Sequence, residues 1–207
     1  MFITFEGIEG SGKSVQARLL AERLRARGLP VVSTHEPGGT SLGADLRQIL
    51  LGRDDLALTP RAEALLMNAS RAQLVENVIR PALERGDVVV CDRFADSTLA
   101  YQGAGRGLGS EPLASVISFA TAGLRPDMTL LLDVPVEVGL ARKHAQDQGN
   151  RFEAETLGFH RRVQSAYRTL AAAETERWRC FDGLAGVEHV ADEIWEAVAA
   201  RMGLVSA

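Results

Sequence analysis

Residues Gly7-Ile8-Glu9-Gly10-Ser11-Gly12-Lys13-Ser14 place three glycines, a lysine and two hydroxyls within eight positions, in the order GxxxxGK[ST]. Glycines let successive backbone N–H groups curl around a phosphate, and the N-terminus of a following helix adds about half a positive charge. Lys13 is then placed to reach the β- and γ-phosphates of a triphosphate, and the Ser14 hydroxyl to ligate Mg²⁺. A second constellation is Asp87-Val88-Val89-Val90-Cys91-Asp92-Arg93, an apolar run ending in an acid and a base. Such an Asp can hold the hydration shell of Mg²⁺, and such an Arg can grip a second phosphate with two parallel N–H donors. The plainer readings are a glycine-rich turn that caps a helix and a structural Asp–Arg pair at a strand end.

The elements around these residues decide between the readings. Short apolar runs alternate with long amphipathic stretches, which is the pattern of βα repetition and a parallel sheet. Strands are expected at about Phe2 to Glu6, Pro30 to Thr34, Asp87 to Cys91, Met128 to Asp133 and Trp178 to Asp182. The first, third and fourth are nearly all apolar or β-branched, as strands covered on both faces should be. Helices are expected at Lys13 to Arg27, Leu42 to Leu51, Pro60 to Arg85, Glu111 to Ala122, Val136 to Gln146, Glu153 to Glu176 and Val187 to Met202. Gly28 and Gly86 stand where helices stop, and Pro60 and Pro112 where they begin. The glycine motif thus follows a strand directly and opens a helix, as a phosphate-binding P-loop requires. Ligands of open α/β sheets bind beyond the carboxyl ends of the strands, so Asp92 and Arg93 should emerge beside it. The expected fold is a three-layer α/β P-loop NTPase fold, a five-stranded parallel sheet flanked by helices, in one domain over residues 1–207. The glycine-rich run Gly103 to Gly109 reads as a loop, and residues 142–152 as a mobile lid.

The chain has 207 residues, 23 basic and 27 acidic, for a net charge of −4. Bulk attraction to nucleic acid or to an anionic membrane is therefore not expected, and an anionic ligand must be held by a local cluster of donors. Cys91 and Cys180 lie in no CxxC or Cys/His cluster, so they read as buried, inert thiols at strand positions. No basic n-region precedes an apolar stretch, and no run approaches the ~18 apolar residues of a membrane span, so a cytoplasmic protein is expected. NKxD and DxxG, the strings of a GTPase, do not occur. A small P-loop domain with extra arginines in its loops fits a kinase that clamps two phosphate-bearing ligands at once.

Further segments resemble the bacterial thymidylate kinases nearly end to end. They are Phe5 through Ser14, Glu36-Pro37-Gly38-Gly39-Thr40, Ser70-Arg71-Ala72-Gln73-Leu74-Val75-Glu76, Asp92-Arg93-Phe94, Ser97 through Gly103, and Pro126 through Asp133. The Glu-Pro-Gly-Gly-Thr and Tyr-Gln-Gly segments are specific to that family, whereas the P-loop is not. The resemblance implies transfer of the ATP γ-phosphoryl group to dTMP with Mg²⁺, in a homodimer. ATP would lie on Gly7, Ile8, Glu9, Gly10, Ser11, Gly12, Lys13 and Ser14, with Arg142 against adenine or on a solvated helix face. On the acceptor side, Glu9 would meet the sugar 3′-hydroxyl and Arg93 the monophosphate, while Tyr101 would crowd C2′. Arg71 would reach the thymine ring, Thr98 and Gln102 would line the base pocket, and Pro37 would follow a cis peptide. Asp92 and Ser14 would serve the metal.

Three positions depart from the family pattern. His35 stands where an arginine is usual, and Met67 where an aromatic ring stacks on thymine. Gly10 lacks the arginine of the eukaryotic members, so a lid cation must replace it, from Arg142, Lys143 and Arg151, with Gln146 and Gln148 between them. Arg151 is the expected catalytic cation. The competing readings are another nucleotide or nucleoside kinase and an idle, nucleotide-gated binding module; intact Lys13, Ser14, Asp92 and Arg93 speak against the latter.

Overall fold

The computed structural model describes residues 1–53, 55–145, 151, 152 and 154–204. Strands β1 (Phe2–Glu6), β2 (Val31–His35), β3 (Val88–Asp92), β4 (Met128–Asp133) and β5 (Trp178–Asp182) form one sheet in the order β2-β3-β1-β4-β5, with every pairing parallel. This is the expected five-stranded sheet, with β2 and β3 each one residue later than the hydrophobic pattern suggests. Alternation along the central strands sorts the core into two faces. Ile3, Phe5, Val88, Val90, Leu130 and Leu132 face Leu20 and Leu24 of α1 (Lys13–Ala26) and Ile194 and Val198 of α9 (Val187–Met202). Phe2, Val89 and Cys91 face the opposite layer, against Leu74, Val75 and Ile79. Leu131 joins Tyr101, Val163 and Tyr167 on that same side of the sheet. Because β1 and β3 are neighbours, with Phe5 opposite Asp92, their carboxyl ends deliver the glycine loop and Asp92-Arg93 to one place.

Helix α2 (Ser41–Leu51) is capped by the Thr40 hydroxyl, and α3 (Pro60–Leu74) by that of Thr59, with Pro60 in the first turn. The sequence pattern implies a single helix from Pro60 to Arg85. The structure instead widens it to a π-helical turn at Val75–Ile79 before α4 (Arg80–Glu84). Pro81 supplies the reason: its ring would crowd the carbonyl four residues back in a regular helix, and the wider turn relieves this. The glycine-rich run departs further from the expected loop. After α5 (Ala95–Thr98), Leu99–Gly105 is a π-helical segment, so Gly103 and Gly105 are helical. A Cβ on Gly105 would lie 2.6 Å from the Phe159 ring of α8 (Leu157–Ala173), so glycine here serves a close packing of two elements. Helix α6 (Glu111–Thr121) follows. α7 (Val136–His144) is shorter than read, and α8 begins at Leu157, capped by Thr156, rather than at Glu153.

Helix α7 meets the glycine loop backbone to backbone. A Cβ on Gly10 would lie 1.9 Å from the Gly139 carbonyl oxygen, and one on Gly139 would lie 2.5 Å from the Glu9 carbonyl oxygen. With Gly10 at φ +66°, no side chain fits at that position, which is the physical reason that no arginine stands there. Of the expected lid, Arg142 and Lys143 end α7, whereas Gln146 and Gln148 lie outside the described residues. No helix among the described residues is long and apolar enough to cross a membrane.

The two cysteines differ, contrary to the expectation that both are buried. Cys91 sits in the central strand β3 with no exposed surface, while Cys180 on the edge strand β5 is exposed. An edge strand has one unpaired flank, so an apolar-looking alternation there does not secure burial. Burial lifts both thiols above their ordinary range, Cys91 by far the more, with Glu36, Asp92 and Glu6 adding to it. Under native conditions a small alkylating reagent should therefore modify Cys180 and leave Cys91 intact. Mass spectrometry of tryptic peptides should find one labelled site in folded protein and two after denaturation.

Candidate active site

The P-loop leaves β1 through Gly7 at φ +143° and enters α1 through Gly12 at φ +95°. Lys13, buried, folds its ammonium back over the loop and donates to the Ile8 carbonyl at 2.6 Å and to Ser11 Oγ at 3.2 Å. Burial lowers its pKa to about 8, aided by Arg93 and opposed by Asp92, Glu9 and Glu6. Ser14 Oγ donates to the Asp92 carboxylate, so the two oxygen groups expected to serve a metal meet at one point. Among the described residues no three His, Cys, Asp or Glu side chains converge on a metal position. A hard oxygen pair at a phosphate loop nevertheless suits Mg²⁺, which keeps waters and phosphate oxygens as most of its ligands.

Arg93, beyond the end of β3, lies at φ +71°, a left-handed conformation unusual for a residue with a side chain. Its Nη1 donates to the Gly7 carbonyl at 2.9 Å, Ser97 Oγ at 3.2 Å and the Tyr167 hydroxyl at 3.1 Å. Its Nη2 donates to Tyr101 at 3.1 Å and to Glu9 Oε1 at 3.3 Å. Glu9 Oε1 also accepts the Tyr101 hydroxyl at 2.6 Å, and Oε2 lies 3.5 Å from Nδ1 of the fully buried His160, too far for a good hydrogen bond. Burial alone would raise the Glu9 carboxyl, but His160, Arg93, Lys13 and Tyr101 together outweigh it and lower it to about 2. Glu9, Tyr101 and Arg93 are thus one charged cluster facing the loop.

A cavity of about 980 Å³ runs along this edge of the sheet. It is lined by Glu9 to Ser14, Pro37, Met67, Arg71, Asp92, Arg93, Thr98, Tyr101, Gln102 and Arg142, so nearly all of the expected site residues share it. The Glu36–Pro37 peptide is cis. Arg71 is almost wholly buried, with Nε on Glu36 at 2.9 Å, Nη1 on Asn68 at 2.8 Å and Thr98 at 3.0 Å, and Nη2 on the Phe94 carbonyl at 3.1 Å. Its donors are therefore largely engaged by the protein, and a ligand would meet them by sharing. Gln102 donates its amide to Glu63 at 2.8 Å. Met67 is half-buried in the wall, and His35 lies at the rim, where burial and Arg47 lower its pKa, against Asp92. Arg142 donates to the Gly183 carbonyl at 2.7 Å, beside Ala185 and Val187. Gly7 and Ile8 belong to the loop without lining the cavity. Arg151 does not line it either: its Nη2 lies 3.5 Å from Glu63 and its Nη1 is buried without a hydrogen-bond partner.

Several residues here escape a reading of spacing. Arg47 of α2 lines the cavity and donates to the Pro37 carbonyl at 2.9 Å. Phe159, Val163 and Tyr167 recur at helical spacing on α8, which marks them as core but says nothing of the Tyr167 hydroxyl. His160 beside Glu9 carries no motif. Glu6 is visible only as an acid closing an apolar strand.

Comparison with known proteins agrees with this geometry. The thymidylate kinase family model matches residues 5–194. A thymidylate kinase of Thermomicrobium roseum is 53% identical over 198 residues, covering 95% of this chain and 93% of the relative. One of Synechococcus sp. (strain JA-2-3B'a(2-13)) is 51% identical over 207 residues, covering 100% and 98%. The crystal structure of a thymidylate kinase from Ehrlichia chaffeensis superposes with a TM-score of 0.78 at 32% identity, covering 96% of this chain and 98% of that one. A model that takes in the P-loop, the Asp92-Arg93 turn and the cavity wall, with relatives half-identical along the whole length, establishes that this chain belongs to the thymidylate kinase family.

Proposed function

We propose that this protein transfers the γ-phosphoryl group of ATP to dTMP, giving ADP and dTDP. The observation that carries this reading is one cavity with the Lys13/Ser14–Asp92 cradle on one side and the Arg93–Glu9–Tyr101 cluster on the other. An oxygen of the acceptor phosphate, held by Arg93, forms the new P–O bond as the bond between the γ-phosphorus and the β,γ-bridging oxygen breaks. That oxygen is already anionic near neutral pH, so no strong general base is needed. Ser14 and Asp92 would hold Mg²⁺, which would offset the charge of the β- and γ-phosphates. Lys13 meets the same oxygens; phosphate anions beside it favour its charged form and counter the burial that lowers its pKa.

Glu9 faces the sugar, Tyr101 closes the space beside C2′, and Met67, Arg71, Thr98 and Gln102 surround the base, with Pro37 in the wall. Arg142 against the Gly183 to Val187 stretch suits adenine. Phe119 of α6 and Leu65 of α3 are exposed apolar side chains on two helices that contact one another, which supports a homodimer. A net charge of −4 gives no bulk attraction to nucleic acid or to an anionic membrane, which supports a cytoplasmic enzyme acting on small molecules.

An acceptor panel of dTMP, dUMP, the thymine ribonucleotide, dCMP and dGMP with MgATP tests the substrate. dTMP should be the preferred acceptor and dGMP should give no product; preferred use of a purine nucleotide would sink the reading. Lys13→Ala should lower turnover by about 10²–10³-fold or more with the fold intact by circular dichroism, the scale of a lost preorganised charge. A variant keeping a third of wild-type turnover contradicts that role.

The lid cation is assigned to Arg151, which must leave Glu63 to meet the γ-oxygens. A guanidinium delivered on closure acts mainly in the transition state, so it raises turnover more than binding. Under single-turnover conditions Arg151→Ala should lower the chemical rate by about 10³-fold. Arg142→Ala should chiefly weaken ATP binding. If Arg151→Ala keeps the wild-type rate while Lys143→Ala or Arg142→Ala loses it, the cation belongs to the end of α7.

A further inference from the structure

Glu6, the last residue of β1, has no exposed surface, and no step above uses it. A carboxylate at that depth must be met by donors. Three converge on it: the Phe94 amide donates to Oε1 at 2.9 Å, and Ser97 Oγ and the Tyr167 hydroxyl donate to Oε2 at 2.6 and 2.8 Å. Each hydroxyl has a single hydrogen. With those hydrogens turned toward Glu6, the oxygens present lone pairs on their other side, where Nη1 of Arg93 donates to both. Arginine is donor-only, so a hydroxyl hydrogen aimed at it would repel.

We propose that Glu6 is a positioning residue, whose carboxylate sets the direction of the Ser97 and Tyr167 hydroxyls and so holds the guanidinium of Arg93 in place for the acceptor's phosphate. This rests on the reading that Arg93 serves the acceptor. The GxxxxGK[ST] pattern does not include Glu6, which lies one residue ahead of the glycine loop with its carboxylate turned to Phe94, Ser97 and Tyr167. The groups that face it are Asp96 of α5, itself paired with Arg177, then Arg93 and Cys91 around the end of β3, Lys13 of α1 and Tyr167 of α8. Burial, with Asp96 beside it, lifts the Glu6 carboxyl to about 7, while Arg93, Ser97 and Tyr167 oppose the rise. The orienting charge is therefore lost as pH falls through about 7.

Glu6→Gln keeps the shape and reverses the polarity. Oε1 still accepts from Phe94, so the new amide group faces the two hydroxyls with donors. At most one of their hydrogens can be used between Ser97 and Tyr167, which are 2.8 Å apart, and the other must turn toward Arg93. Calorimetric titration of dTMP, thymidine and ATP into wild type, Glu6→Gln and Tyr167→Phe tests this. dTMP should bind about tenfold more weakly to Glu6→Gln, the scale of one hydrogen bond to a charged group. Thymidine and ATP should bind as to wild type, since neither places an acceptor phosphate on Arg93. Tyr167→Phe should weaken dTMP in the same sense, with Glu6 left intact. As pH falls through about 7, wild type should lose dTMP affinity beyond the substrate's own phosphate titration, and Glu6→Gln should lose only the latter. Unchanged dTMP affinity in both variants overturns the proposal, as does an equal loss for thymidine and dTMP, which would mark a general packing role. Weakened ATP with intact dTMP would keep the link from Glu6 to Arg93 and overturn the acceptor-side reading of Arg93.

Discussion

Arg93 is held at φ +71°, a conformation that costs a residue with a side chain on the order of 1–3 kcal/mol. It persists because independent parts of the chain over-determine it. Its amide donates to the Phe5 carbonyl on β1, and its guanidinium is gripped by the Gly7 carbonyl, Ser97, Tyr101, Tyr167 and Glu9. Those partners come from the P-loop, α5, the π-helical segment and α8. One cation therefore ties the P-loop to the opposite wall of the cavity. The left-handed turn is what sends the side chain back over the loop instead of onward along β3.

The same economy governs the other buried charges in a chain with only 4 more acids than bases. Glu36 pairs with Arg71 at 2.7 Å, and Asp96 with Arg177 at 2.6 Å, all four nearly out of water. Burial raises the Glu36 carboxyl while Arg71 pulls it back. Removing one member of such a pair leaves an uncompensated charge and costs about 3–5 kcal/mol, so these pairs specify geometry more than they add stability. Glu63 gathers Gln102, Arg106 and Arg151, so the cavity wall at Gln102 and the chain around Arg151 lean on a single carboxylate. Loss of that acid would disturb both at once.

Close backbone approaches shape the site as firmly as charge does. Gly10 against Gly139 and Gly105 against Phe159 are places where any side chain would push two elements apart. The first brings α7, and with it Arg142 and Lys143, against the P-loop. The second seats α8 against the π-helical segment, which brings Tyr167 to Arg93 and His160 to Glu9. A glycine-rich stretch is thus read wrongly as a loop when its glycines serve packing, because composition alone does not distinguish freedom from closeness.

Local rules were enough for the strands, the P-loop and the placement of Asp92 and Arg93. Hydrophobic period, glycine spacing and the position of acids at strand ends are properties of a few neighbouring residues, and the parallel direction of the strands follows from the βα rhythm. The exposure of Cys180, the π-helical turns and the engagement of Arg71 by Glu36 and Asn68 were not legible in that way. Nor were the roles of Arg47, Tyr167 and His160. Each depends on residues far apart in the chain meeting at a fixed distance, and on whether a donor is already spent when they meet. The chain by itself thus marked which groups could meet a phosphate, whereas only the packed structure decided which of their hydrogens are already engaged, because hydrogen-bond direction belongs to the network and not to any residue in it.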